Sequence, residues 1–289
     1  MSTFYDCIPC LIRQSLDAVR RVTPDKQIHE RILRDILKAT SEMDMALPPA
    51  AIGKMVHRRI RELCCSDDPY RESKERFNRL ALQLYPFLEE RVKHSLDPWE
   101  TAVRLAIAGN LMDVSVKSNL REDQVCAAIE ECLKERLYGD LQRFADAVAH
   151  AHDILYLADN AGEIVLDRLL IEQMPLDKVT LAVRGAPVIN DATRLDAEVA
   201  GLTRIVRVID NGSDAPGTLL HDCSAGFRSH FNDADLVIAK GQGNYETLIG
   251  LSKQIYFLVR VKCPVVARDL GRPVGSLVLH PSGSGHALH

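Results

Sequence analysis

From Asp153 onward, short β-rich runs alternate with helical ones, and four successive runs end in polar turns. The expected strands are Ile154 to Ala158, Val179 to Val183, Ile205 to Ile209, Leu236 to Ala239 and Ile255 to Val261. Between the first two, Glu163 to Met174 is apolar at Ile164, Val165, Leu169 and Leu170, which predicts an amphipathic crossover helix. Alternation of this kind implies a mostly parallel sheet with right-handed crossovers. The expected fold class is α/β, with any ligand outside the carboxyl ends of the strands.

The front of the chain follows a different rule. Residues 1–145 hold 3 of the 16 glycines. Apolar positions from Cys10 to about Leu141 recur at helical spacing, as in Ile28, Ile32, Leu33, Ile36 and Leu37. At least six helices are expected, broken at Pro24, Pro48-Pro49, Ser66-Asp67-Asp68-Pro69 and Asp97-Pro98. Asp97 predicts a helix cap and Pro98 a first-turn residue. The charge mixture Arg71-Glu72-Ser73-Lys74-Glu75-Arg76 predicts a solvated helix face. The chain therefore divides into an all-helical subdomain over 1–145 and an α/β domain over 146–289. Gly109-Asn110 interrupts the apolar run Ala102 to Met112 at a cost of roughly 1 kcal/mol relative to alanine, marking a helix end or a close approach.

Composition narrows the function classes. With 46% hydrophobic and 26% charged residues, the chain reads as globular rather than disordered. No apolar run reaches the ~18 residues of a membrane span, and the N-terminus lacks a basic n-region and an export cleavage site, so a cytoplasmic location is expected. A net charge of -4 offers no footprint for nucleic acid or anionic lipid. Neither is an expected partner, and oligomeric state is not legible. Cys7-Ile8-Pro9-Cys10 has the spacing of half a zinc site or a redox pair, yet no second CxxC follows, and only Cys64, Cys65 and His57 lie nearby. Two reduced thiols on an opening helix are expected. The tail from His280 through His286 to His289 predicts a flexible, solvated end rather than a metal site.

The strand ends carry the chemistry. The first finishes in Asp159-Asn160-Ala161-Gly162-Glu163 and the second in Arg184-Gly185, with Asn190-Asp191 close behind. The third finishes in Asp210-Asn211-Gly212 and the fourth in Lys240-Gly241-Gln242-Gly243-Asn244. Each alone could be a helix cap or a plain turn. Together they crowd one sheet edge. Carboxylate and amide oxygens suit magnesium or manganese, while a lysine and the N–H groups of a helix start suit phosphate. Hydrolysis of a phosphate ester follows from that pairing.

These motifs, with the upstream Gly109-Asn110-Leu111-Met112-Asp113, resemble in order those of the damage-control phosphatase family, long catalogued as domain of unknown function 89. The resemblance runs over nearly the whole chain and is greatest to the short, stand-alone prokaryotic branch. It implies a helical subdomain on a Rossmann-like α/β domain with helices on both sheet faces. The implied activity is metal-dependent removal of phosphate from small phosphometabolites such as sugar phosphates. By the same resemblance Asp159, Asn160 and Asp191 would be metal ligands, Lys240 the phosphate binder, and Asn110 a lining residue supplied by the helical half. Arg184, Asp210, Gly241 and Asn244 are further candidates for holding substrate. The cofactor would be a divalent magnesium, manganese, cobalt or nickel ion. Water attacking in line is expected, with Asp159 or Asp191 as alternative general base or nucleophile.

Rival classes fit less well. A dinucleotide-binding dehydrogenase calls for G-x-G-x-x-G in the first strand-to-helix turn, where this chain has Asp159-Asn-Ala-Gly-Glu. A haloacid-type phosphatase calls for Asp-x-Asp there, which Asn160 and Ala161 break, and no Walker A motif is present. A non-catalytic phosphometabolite-binding module on the same fold is the alternative that remains; it would bind without turnover and without metal.

Overall fold

The computed structural model describes residues 1–112 and 122–283. Asp113, His286 and His289 lie outside them. Six helices come first: α1 (Cys7–Val22), α2 (Lys26–Ser41), α3 (Pro49–Cys64), α4 (Arg71–Lys93), α5 (Pro98–Ala108) and α6 (Glu122–Lys134). Three of their starts are written in the sequence. Asp25 accepts the Gln27 N–H at 2.8 Å and Asp97 the Glu100 N–H at 2.9 Å, while Pro49 and Pro98 occupy the first turns of α3 and α5.

After a two-residue strand, β1 (Leu137–Tyr138), and α7 (Leu141–His150), strands and helices alternate. They are β2 (Ile154–Leu157), α8 (Glu163–Ile171), β3 (Val179–Val183), α9 (Arg194–Val199), β4 (Arg207–Asp210), α10 (Ala225–Asp233), β5 (Leu236–Lys240), α11 (Gly241–Leu248), β6 (Ile255–Arg260), α12 (Pro264–Leu270) and β7 (Leu277–Pro281). The seven strands form one Rossmann-like sheet in the order β1-β7-β6-β5-β2-β3-β4. All neighbours are parallel except β6 and β7, which run antiparallel with Val259 opposite Val278.

Two strands escape the sequence pattern. β1 is too short to show a period. β7 takes in His280 and Pro281, which correct the expected flexible tail: apolar Leu277, Val278 and Leu279 are buried against the sheet and carry the next residues into the ladder. The boundary at 145 also falls inside α7, and β1 in front of it joins the sheet.

Successive strand residues face opposite sides, so the sheet feeds two cores. Ile154, Tyr156, Leu181, Ile238 and Leu258 pack with Leu105 of α5 and Ile164 and Leu170 of α8, in one cluster with Val19, Ile32 and Ile60 of the front helices. Leu155, Leu157, Val237 and Phe257 face Phe227 and Phe231 of α10 and Tyr245 and Leu248 of α11. Helical front and sheet thus share a core.

Polar ties fix the front helices over the strand ends. On α3, Arg58 Nε and Arg61 Nη2 reach Asp214 Oδ2 at 2.7 and 2.5 Å, and Arg61 Nη1 reaches the Pro187 carbonyl at 2.7 Å. On α4, Lys74 is buried and pairs with Asp196 at 2.9 Å. Lys74 is the exception on a face otherwise solvated as expected, with Arg71, Glu72, Glu75 and Arg76 exposed; α9 packs against this part of α4 and takes Lys74 from water. Among the described residues, no helix is long and apolar enough to cross a membrane.

His57 of α3 is buried edge-on to Tyr70, and burial, reinforced by Arg61, pushes its imidazole down to about 3. Between its ordinary 6.5 and that value the unfolded chain binds a proton that the native state refuses. This contribution to stability is present above pH 6.5 and lost as pH falls through the window, at up to about 1.4 kcal/mol per pH unit. His57→Phe is expected to flatten the dependence of Tm on pH over about pH 4.5 to 6.5. An unchanged slope would show that His57 takes up its proton in the folded state.

Candidate active site

The chain leaves β2 toward β3 and β4 on one side, then returns to β5 on the other. Such a reversal opens a crevice at the carboxyl ends of the strands. Asp159 and Asn160 lie just past β2, and Gly241 just past β5. The two approach so closely that a Cβ on Gly241, whose φ is +76°, would stand 1.9 Å from Asp159 Oδ2. Only a glycine lets the start of α11 lie against that carboxylate.

The turns here serve more than helix capping. α8 is capped by Gly162 at φ 78° with no side-chain bond, and α9 by the reciprocal Thr193–Asp196 box. Asp159, Asn160 and Asp191 are left for other partners. Their backbones knit the two turns together: Asn160 and Asp191 form an isolated antiparallel bridge, Ala161 N donates to Asn190 O at 2.8 Å, and Ala192 N to Asp159 O at 2.7 Å. Ile189 takes φ 46° beside this bridge. A β-branched residue there stores strain of order 1–3 kcal/mol, which the surrounding bonds hold in place.

Seven of the expected site residues join one buried network around these turns. Asn110 enters on the short 3-10 turn Gly109–Met112 that ends α5, so Gly109-Asn110 is both a helix end and a close approach. Its Nδ2 donates to Glu163 Oε2 at 3.0 Å and Asp159 Oδ2 at 3.3 Å. Asn160 Nδ2 donates to the same two oxygens at 2.9 and 2.8 Å. Arg184 Nε donates to Asp191 Oδ2 at 2.6 Å, and Nη1 to Asn244 Oδ1 at 3.2 Å. Arg184 Nη2 lies 3.7 Å from Asp159 Oδ1 with no hydrogen-bond partner, although the side chain is buried. Asn244 Nδ2 closes the ring on the Ala158 and Lys240 carbonyls.

Lys240 lies deeper than the turns around it. It is 0% exposed, and its ammonium donates to Ala106 O at 2.8 Å, Glu163 Oε1 at 2.7 Å and Asp167 Oδ1 at 2.5 Å. An ammonium has three N–H groups, and all three are engaged. Lys240 is therefore the counter-ion of two buried carboxylates in this structure, not an exposed phosphate contact. Burial pulls its pKa down, but Asp167 and Glu163 more than offset this and hold it above its ordinary value. Tyr156 Oη also donates to Asp167 Oδ1, at 2.8 Å, and burial still lifts that carboxyl to about 7.

Asp210 is not brought in either. It is exposed at the end of the edge strand β4, where its Oδ1 accepts the Gly212 N–H at 3.1 Å. That contact is the one a plain turn would give.

Residues 3–278 match the sequence profile of the damage-control phosphatase ARMT1-like domain. The chain belongs to the damage-control phosphatase family. It is 36% identical over 285 residues to a damage-control phosphatase of Pyrococcus horikoshii, covering 96% of this chain and 97% of that protein. A damage-control phosphatase of Archaeoglobus fulgidus is 35% identical over 279 residues, with 94% and 96% covered. An uncharacterized protein of Methanocaldococcus jannaschii is 35% identical over 289 residues, with 95% and 93% covered. The crystal structure of a DUF89 family protein from P. horikoshii superposes with a TM-score of 0.89 at 35% identity, covering 98% of this chain and 99% of that one.

In this family member, sequence reasoning passed over the residues beneath and beside the turns. The crossover helix expected to be amphipathic is buried on its polar side too: Glu163 and Asp167, one turn apart on α8, are both fully buried. Asn78 of α4 accepts the Gly162 N–H at 2.7 Å, bracing the turn from the helical half. Lys262, just past β6, lies close enough to Asp159 to oppose the rise of its pKa. The signal for Lys262 was its place after an apolar strand next to β5.

Proposed function

We propose that this chain is a metal-dependent phosphomonoester hydrolase acting on small phosphorylated metabolites such as sugar phosphates. Its membership of the family supports a phosphatase, and one feature of the edge supports the metal. Burial drives the Asp159 carboxyl well above its ordinary range, and the nearby Glu163 and Asp191 carboxylates add to the effect more than Lys262 and Arg184 relieve it. Such a crowd of hard oxygen donors fits a divalent cation such as magnesium, manganese, cobalt or nickel. Asn110 Oδ1, buried without a hydrogen-bond partner, is one more oxygen of that kind.

Asp159, Asn160 and Asp191 would hold the ion, which when bound polarises a phosphoryl oxygen and lowers the pKa of its water. The remaining work belongs to the chain's own groups. Arg184 Nη2 has a donor to spare for a phosphate oxygen, while Nε stays on Asp191 and keeps the guanidinium aimed. The N-terminus of α11, beginning at Gly241 against Asp159, presents backbone N–H groups to the same crevice. Lys262 adds positive charge. The front helices cover the strand ends and exclude water, so the charge contacts act at reduced dielectric.

A screen of phosphate esters against these four metals tests the proposal on protein stripped by a chelator. Phosphate release is expected only after metal is restored. Full release without metal would refute the metal dependence. Binding of phosphate esters with no release under any metal would instead identify a non-catalytic binding module.

A further inference from the structure

We propose that Glu163 is a positioning residue that sets which way the two amides of the site face, and so makes Asn110 and Asn160 oxygen donors. The inference rests on the proposed metal site and goes beyond it. Glu163 Oε2 accepts from both amides, Asn110 Nδ2 at 3.0 Å and Asn160 Nδ2 at 2.9 Å, while Oε1 accepts from Lys240 at 2.7 Å. A carboxylate only accepts, so each amide must turn its NH2 arm to Glu163 and its carbonyl arm away. The same two NH2 groups grip Asp159 Oδ2, at 3.3 and 2.8 Å. Four groups thus form a closed set in which two carboxylate oxygens are bridged by two amide nitrogens. Left over are Asn110 Oδ1, buried and unpartnered, and Asp159 Oδ1 on the side of Arg184 Nη2.

The oxygens so released are needed. Asp159 and Asp191 alone supply few of the six or more oxygens a hard divalent cation takes, and amide oxygens are ligands of the right kind. Lys240 and Asp167 act from behind. Lys240 is charge-paired with Glu163, while Asp167 engages Lys240 and makes no hydrogen bond to either amide.

The charge count makes a clean experiment possible. Lys240 faces two carboxylates, so neutralising either one leaves a one-to-one pair and a foldable core. In Glu163→Gln an NH2 group competes with those of Asn110 and Asn160, and the amides lose their imposed sense. Asp167→Asn removes the same charge from Lys240 but touches neither amide. The readout is the dissociation constant for Mn2+ alone, measured by electron paramagnetic resonance without substrate.

Glu163→Gln is expected to weaken Mn2+ binding by about 10–100-fold, and Asp167→Asn to leave it within about twofold of wild type. Glu163→Asp keeps the charge but withdraws Oε2 by one methylene; it should also bind Mn2+ more weakly, and it carries the test if Glu163→Gln does not fold. Wild-type affinity in the Glu163 variants, or an equal loss in Asp167→Asn, overturns the positioning role while leaving the metal site standing. Failure of the wild-type protein to bind Mn2+ at all overturns the metal site itself, and the positioning role with it.

Discussion

Lys240→Met is expected to destabilise the fold by about 3–5 kcal/mol, the usual cost of stripping one partner from a buried ion pair. Glu163 and Asp167 would then face each other in the core without their cation, 2.7 and 2.5 Å from where it stood. A lysine that served only to touch phosphate would behave otherwise: its loss would raise KM and leave the melting curve in place. Chemical denaturation of Lys240→Met, and of a triple variant that adds Glu163→Gln and Asp167→Asn, separates the two. The triple variant should recover most of the lost stability, since no net charge stays buried, while Glu163→Gln keeps it impaired in metal binding. A Lys240→Met protein as stable as wild type but with weakened substrate binding would return the lysine to the phosphate.

Asp159→Asn is expected to reduce phosphate release by about 10³-fold or more, because the several kcal/mol that a held cation contributes correspond to at least that factor. The change keeps the volume of the side chain, so Gly241 can still approach and the melting temperature should stay close to wild type. Asp210→Ala is the matched control, since its carboxylate is exposed and engaged only by the Gly212 N–H. Its activity should remain within about twofold, as for most surface changes. Comparable losses in both variants would mean that the site extends along the sheet to β4, as the row of strand-end motifs first suggested.

Much of this arrangement was legible in the residues. The period change near Asp153 predicts the parallel sheet, because strands buried on both faces must be short and apolar, and their polar ends must gather at one edge. Asp159, Asn160, Arg184, Asp191 and Asn244 occupy that edge, and Asn110 arrives from the helical half. What the sequence could not convey is direction. Lys240 follows an apolar strand and precedes two glycines, a pattern equally suited to a phosphate contact and to a side chain that folds back under α8. Only the placement of Ala106, Glu163 and Asp167 decides between them, and those contacts span 134, 77 and 73 residues. Lys74 shows the same limit. A lysine amid five charged or polar neighbours looks solvated until α9 supplies Asp196 across 122 residues of chain, counted from 74 to 196. Edge strands β1 and β7 were hidden because two residues have no period and because His280-Pro281 resembles the start of a loose end.

Asp159 and Asp191, brought together by the bridge between the first two strand-end turns, are the carboxylates proposed to hold a divalent cation. Crystals soaked in Mn2+, with diffraction recorded on both sides of the manganese absorption edge, test that role most directly. The expected result is an anomalous peak in contact with both carboxylates, absent in Asp159→Asn crystals soaked alike. A peak elsewhere, or none in crystals of protein that releases phosphate in the same solution, would contradict the account.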